Sequence, residues 1–106
     1  MNAIRIRHTV LFTLRHTRGS AEERAFLADG ERILTAIPGV ERFEVLRQIK
    51  PTTDFDFCFS MEFVDRAAYD LYIAHSDHAG FVERRWKTEV VRFQEVDLQA
   101  KESLPA

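Results

Sequence analysis

The chain has 106 residues, of which 45% are hydrophobic and 30% charged, and its formal net charge is −2. These values suit one folded domain over residues 1–106, exclude a disordered or membrane-embedded chain, and leave no basic stripe able to hold nucleic acid. A single cysteine, Cys58, excludes an intrachain disulfide, and arginines at positions 5, 7, 15 and 18 interrupt any leader-like apolar run, so a cytoplasmic setting is expected.

From Ile4 to Leu14 apolar residues and His8 fall on even positions, the period of a half-buried strand. Ser20 and Glu23 have capping-box spacing, and Phe26, Leu27, Gly30, Ile33, Leu34 and Ile37 follow at helical spacing until Pro38-Gly39 stops them. Val40 to Ile49 reads as a second strand with Phe43, Val45 and Ile49 inward, and Lys50 to Asp54 as a turn. The next strand alternates most clearly: Phe55, Phe57, Phe59, Met61 and Phe63 share one face.

Asp65 is a helix cap, followed by Ala68, Leu71, Tyr72 and His75 on one predicted face. Ser76 or Asp77 restarts a helix through Phe81, Val82 and Trp86. Thr88 to Leu98 is the last strand, and the tail beyond Gln99 is polar.

The order is β-α-β-β-α-β, an α+β ferredoxin-like sandwich with a four-stranded antiparallel sheet and helices on one face. The other face carries Arg5, Arg7, Thr9 and Leu11 from the first strand and Asp56, Cys58, Ser60, Glu62 and Val64 from the third. That mixed surface suits either solvent or a second copy of the chain.

Chemistry concentrates in three histidines and a tyrosine. His8 lies among apolar neighbours on the helix-facing side, as either a core imidazole or a cavity group. Tyr72 and His75 share a helical face, and His78 follows the break. A neutral imidazole can accept a proton and a phenol can donate to a developing oxyanion, so Tyr72 and His78 are the candidate catalytic pair. Alternatively, they close the helical hairpin by bonding each other or backbone.

His75 and His78 lack a third metal ligand, so no metal site is expected. No glycine-rich nucleotide motif is present, and no cofactor is expected. Cys58 falls on the opposite sheet face. Phe12, Phe26, Leu27, Phe57, Phe59, Met61 and Phe81 would wall an aromatic cavity for a flat, apolar ligand, or simply pack as core.

The run Arg7-His8-Thr9-Val10-Leu11-Phe12, the segment Ile37-Pro38-Gly39-Val40 with Phe43-Glu44-Val45, and the block from Tyr72 to Phe81 with Met61-Glu62-Phe63 before it resemble the stress-responsive A/B barrel (Dabb) family. The likeness spans about residues 5–98. It implies a dimeric α/β barrel whose sheets pack back to back, which makes the bare sheet face a homodimer interface.

One member, the plant polyketide cyclase that forms olivetolic acid, uses a tyrosine and a histidine for aldol-type closure, and these match Tyr72 and His78. The resemblance also places His8 and His75 in the pocket, with Phe57 where that enzyme has another histidine. Three readings follow: a small-molecule-binding dimer with acid–base chemistry, a non-catalytic scaffold, and a cofactor-independent monooxygenase. Whether the chain is an enzyme stays open at this point.

Overall fold

The computed structural model describes residues 5–101. Strand β1 (Ile6–Leu14) alternates as its sequence requires, with Ile6, His8, Val10, Phe12 and Leu14 buried; Ile4 lies outside the described residues. In helix α1 (Ala21–Thr35), the Ser20 hydroxyl accepts from the Glu23 amide at 3.2 Å. The Glu23 carboxylate reaches back to the Gly19 amide at 3.0 Å, one residue beyond the usual capping-box partner. Phe26, Gly30 and Leu34 form the buried stripe, and Gly39 turns the chain at φ 92°.

Strand β2 (Glu41–Arg47) is shorter than the predicted Val40 to Ile49. Gln48 ends it by donating to the Phe55 carbonyl at 2.5 Å and accepting from the Thr53 amide at 3.1 Å, which closes the turn early. Ile49 therefore points into solvent, 93% exposed, rather than inward. Strand β3 (Phe57–Phe63) begins two residues after the predicted Phe55, and all its odd residues are buried.

Helix α2 (Arg66–Ala74) starts where Asp65 accepts from the Ala68 amide at 2.9 Å, a cap of about 1 kcal/mol. Its inward face differs from the predicted one: Tyr69 and Tyr72 pack on Phe63, with ring centroids 5.4 and 5.0 Å apart, while Leu71 is 71% exposed. Helix α3 (Ser76–Phe81) runs into a π-helical turn over Val82–Trp86, then the short α4 (Lys87–Glu89) and strand β4 (Val90–Gln99). The polar tail beyond residue 101 lies outside the described residues.

The sheet order is β2-β3-β1-β4, antiparallel at every pairing. This is the ferredoxin-like arrangement expected from the element order. The core lies between the sheet and the helices, where Phe12, Phe26, Phe59, Phe63 and Phe81 are essentially inaccessible.

On the opposite face the register aligns Leu11 with Cys58 and Gln94, Leu46 with Cys58, and Thr9 with Ser60 and Val96. Toward one end Glu62 receives Arg7 at 2.6 Å and Arg5 at 3.1 Å. That face mixes Leu11, Cys58, Leu46 and Val96 with Thr9, Ser60 and Gln94 in the middle and is charged at its margin. No helix among the described residues is long and apolar enough to cross a membrane.

Candidate functional site

A cavity of about 520 Å³ opens between the helix-facing side of β1, β3 and β4 and the run from α2 to the π-helical turn. This lies within the roughly 300–1,000 Å³ of small-molecule pockets. Leu34, Phe59, Met61, Phe81 and Trp86 form much of its apolar wall; His8, Tyr69, Tyr72, His78 and Glu95 supply polar groups, with the Arg66–Asp70 ion pair also on the lining.

The helix break builds the Tyr72–His78 pair. His75 adopts an extended conformation (φ −66°, ψ 140°), which ends α2, and its Nδ1 accepts from the Asp77 amide at 3.0 Å, which starts α3. His75 itself, rather than Ser76 or Asp77, is thus the capping residue. The bend returns His78 to Tyr72, with ring centroids 4.7 Å apart and planes at 60°.

Among the described residues nothing hydrogen-bonds the Tyr72 hydroxyl. No buried side-chain polar atom among them lacks a partner, so that hydroxyl faces the open cavity. Burial raises the Tyr72 phenol well above its ordinary pKa, with Tyr69 and Glu95 adding to the effect. It is a neutral donor across the physiological range.

Burial also lowers His78 from the ordinary imidazole value, helped by its electrostatic coupling to His8 and opposed by a hydrogen bond to the Ile73 backbone. Desolvation is the main influence that favours the neutral ring. The pair therefore presents a proton donor and a proton acceptor to one void.

His8 reaches the same cavity from β1. The sheet register pairs it with Met61 and with Asp97 of β4. Its Nδ1 lies 2.5 Å from Asp97 Oδ1, and the Tyr69 hydroxyl donates to Asp97 Oδ2 at 2.9 Å. The His8 ring centroid is 5.3 Å from that of Tyr69 and 6.0 Å from that of Tyr72.

Phe59 and Phe81 line the cavity with these groups. Phe57 and His75, also assigned to the pocket from sequence, do not, and neither do Phe12, Phe26 and Leu27, which pack in the core beside it. Phe57 is buried in another part of the core, 5.9 Å from Phe12 by ring centroids and under the Arg47 guanidinium. His75 is committed to its cap.

Sequence reasoning missed Tyr69, Glu95 and Asp97. Tyr69 was readable as the residue one turn before Tyr72. Glu95 and Asp97 share the parity of Phe93, which places them on the helix-facing side of β4. Trp86 was read as an apolar helix position, but the π-helical turn makes it a hub, packed on Phe12 at 5.0 Å and Phe93 at 5.7 Å.

His8, Glu95 and Asp97 offer ligand atoms within 4.8 Å of one another, the one such cluster among the described residues. The 2.5 Å contact between His8 and Asp97 is a hydrogen bond, however. Donors around a common ion with bonds near 2 Å stand roughly 3 Å or more apart.

A ferredoxin-like α+β domain with an aromatic cavity under its helices is the class of protein that fold and site define. Residues 6–100 match the Stress responsive A/B Barrel Domain, and the chain belongs to this Dabb family. It is 51% identical to a Dabb family protein of Mesorhizobium loti with a ferredoxin-like fold, over 97% of this chain and 98% of that one, with a TM-score of 0.89.

The fold is shared with a hydroxynitrile lyase from Passiflora edulis (13% identity, 95% and 97% of the two chains, TM-score 0.80). It is shared too with a dimeric ferredoxin-like protein of unknown function from Thermobifida fusca (16%, 92% of each chain, TM-score 0.76). No curated protein matches the chain.

Proposed function

We propose that the cavity binds a small, flat, largely apolar molecule bearing a carbonyl, and that Tyr72 and His78 perform cofactor-free acid–base chemistry on it. The observation that carries this reading is the Tyr72 hydroxyl, which opens on the cavity without a partner among the described residues, beside an imidazole whose neutral form burial favours. Tyr72 would donate to the carbonyl oxygen as charge develops there, and His78 would take the proton from the adjacent carbon. Phe59, Phe81 and Trp86 would seat an aromatic or polyketide-like body.

The same reading makes the working unit a homodimer through the bare sheet face. Its support is the Leu11, Cys58, Leu46 and Val96 surface and the dimeric state of the fold-sharing Thermobifida fusca protein.

The direct test is proton exchange. Benzoylacetone, an aromatic 1,3-diketone with an acidic C–H, is incubated with the protein in D2O and its deuterium uptake followed by NMR. Catalysed uptake that collapses in Tyr72→Phe and His78→Ala is expected. Uptake no faster than buffer, together with no binding of aromatic ketones, would leave a non-catalytic scaffold as the reading to pursue.

A further inference from the structure

We propose that Asp97, backed by Tyr69, is a positioning residue that fixes the tautomer of His8 and so makes His8 Nε2 a second proton acceptor in the cavity. This rests on the acid–base reading above and extends it to a residue pair outside the Tyr72–His78 hairpin.

An ionised carboxylate only accepts hydrogen bonds. Asp97 Oδ2 already accepts from the Tyr69 hydroxyl, whose phenol is kept protonated by burial and by that same bond. The contact at Oδ1 is therefore a bond donated by His8 Nδ1–H. In a neutral imidazole the proton on Nδ1 leaves Nε2 with the free lone pair.

Nothing among the described residues bonds Nε2, and no buried polar side-chain atom among them is left unpaired, so this nitrogen meets the cavity that the ring lines. The same logic of carboxylate, imidazole and open nitrogen orients histidines in acyl-transfer triads and metal sites.

The placement has a structural cause. His8 lies on a central strand and is only 2% exposed, whereas Asp97 lies across the register on edge strand β4 and stays partly wet. The carboxylate keeps its charge at little desolvation cost while reaching a buried ring.

Two acceptors, His8 Nε2 and His78, then face one donor, the Tyr72 hydroxyl. That set fits a ligand with one carbonyl to receive a bond and two labile protons, one on carbon and one on oxygen, as in a hydroxy-ketone or an enolised diketone.

The test reads the tautomer without any ligand. Long-range 1H–15N correlation spectra of the 15N-histidine-labelled protein, at a pH where imidazoles are neutral, assign the proton to one nitrogen of each ring. The expected result is Nδ1–H for His8 in the native chain and a shift toward Nε2–H in Asp97→Ala. An Nε2–H tautomer in the native chain overturns the proposal, as does an unchanged Nδ1–H in Asp97→Ala.

Either failure leaves the Tyr72–His78 chemistry standing, because no turnover is measured. With benzoylacetone as probe, Asp97→Ala is expected to slow deuterium uptake by on the order of tenfold or more through kcat, with KM little changed. An unchanged kcat alongside a catalytically active native chain also overturns the proposal.

Discussion

Replacing Tyr72 by Phe removes one oxygen from a ring that is otherwise fully packed against Phe63, His8 and His78. The hydroxyl has no protein partner among the described residues, so no intramolecular hydrogen bond, worth about 0.5–1.5 kcal/mol, is lost. The stability change should stay within about 0.5 kcal/mol. For a domain of this size that is a Tm shift of less than roughly 4 °C. Removing a donor aimed at developing negative charge, by contrast, costs on the order of 100-fold in rate. Urea denaturation at one fixed protein concentration, which holds any dimer linkage constant, and deuterium uptake by benzoylacetone measure the two quantities on the same samples. A destabilisation above about 1.5 kcal/mol with uptake unchanged would refute the reasoning and make the hydroxyl a structural bond.

Other expected outcomes concern packing, assembly and pH. A Cβ on Gly30 would lie 2.7 Å from Phe59 Cζ and 3.3 Å from Phe81 Cζ. Gly30→Ala should therefore lose about 1–2 kcal/mol on denaturation despite its better helix propensity, and a gain would contradict the close approach. Leu11→Lys puts a charge at the middle of the bare sheet face and should convert a dimer to a monomer in light scattering; an unchanged mass would place any interface elsewhere. With His78 lowered from the ordinary imidazole value of 6.5, base-dependent uptake should stay flat as pH falls through that value and decline only below it. A midpoint above it would contradict the burial. Arg85 bonds Glu89 at 2.5 Å and also pairs with Asp29, while His16 Nε2 lies 2.6 Å from Glu89. Burial alone would raise Glu89, but these bonds bring it below its ordinary 4.5, so its contribution to stability is full above that pH and is lost as pH falls through the lowered value. Arg85→Met should cost about 1–3 kcal/mol at neutral pH and start acid unfolding at higher pH, read from urea midpoints across a pH series.

Much of this architecture was legible because a sheet with one buried face writes its period into the chain. The odd residues from Phe57 to Phe63 are all buried, with Ser60 the one buried residue between them, and Ser20, Asp65 and Gly39 mark the element ends they were expected to mark. Parity, however, reports only which face a residue joins, not where along the strand it falls. Phe57 shares the face of Phe59 and Met61, yet it pairs with Phe12, whereas the row that contains His8 contains Met61 and Asp97. That is why Phe57 was expected in a cavity it does not reach.

The last strand hides its partners for a second reason. Both parities of β4 carry apolar residues, since Phe93 faces the helix side and Val96 and Leu98 the bare side, and the pairing slips by one residue near Val90. The polar character of Glu95 and Asp97 thus reads as a solvated edge unless the register with β1 is known. Likewise, nothing in the spacing of Val82 to Trp86 announces a π-helical turn, although it turns Val82 and Trp86 into cavity wall.

The polar groups of the site are brought together by a helix break and by a sheet edge, and their chemistry depends on this. His78 meets Tyr72 only because His75 breaks the helix between them. His8 can be both buried and oriented only because its acidic partner stands on the sheet edge, where water still reaches the carboxylate. A central-strand aspartate in the same role would carry a desolvation penalty of several kcal/mol. Phe59 and Met61 of β3 and Leu34 of α1, in contrast, bring part of the apolar wall from uninterrupted elements, and Trp86 joins them from the π-helical turn. Substitutions of these wall residues should therefore act mainly on stability and cavity volume. Substitutions at the breaks and at the edge should act on proton transfer with the fold intact, a separation that paired denaturation and deuterium-uptake measurements on the same variants resolve.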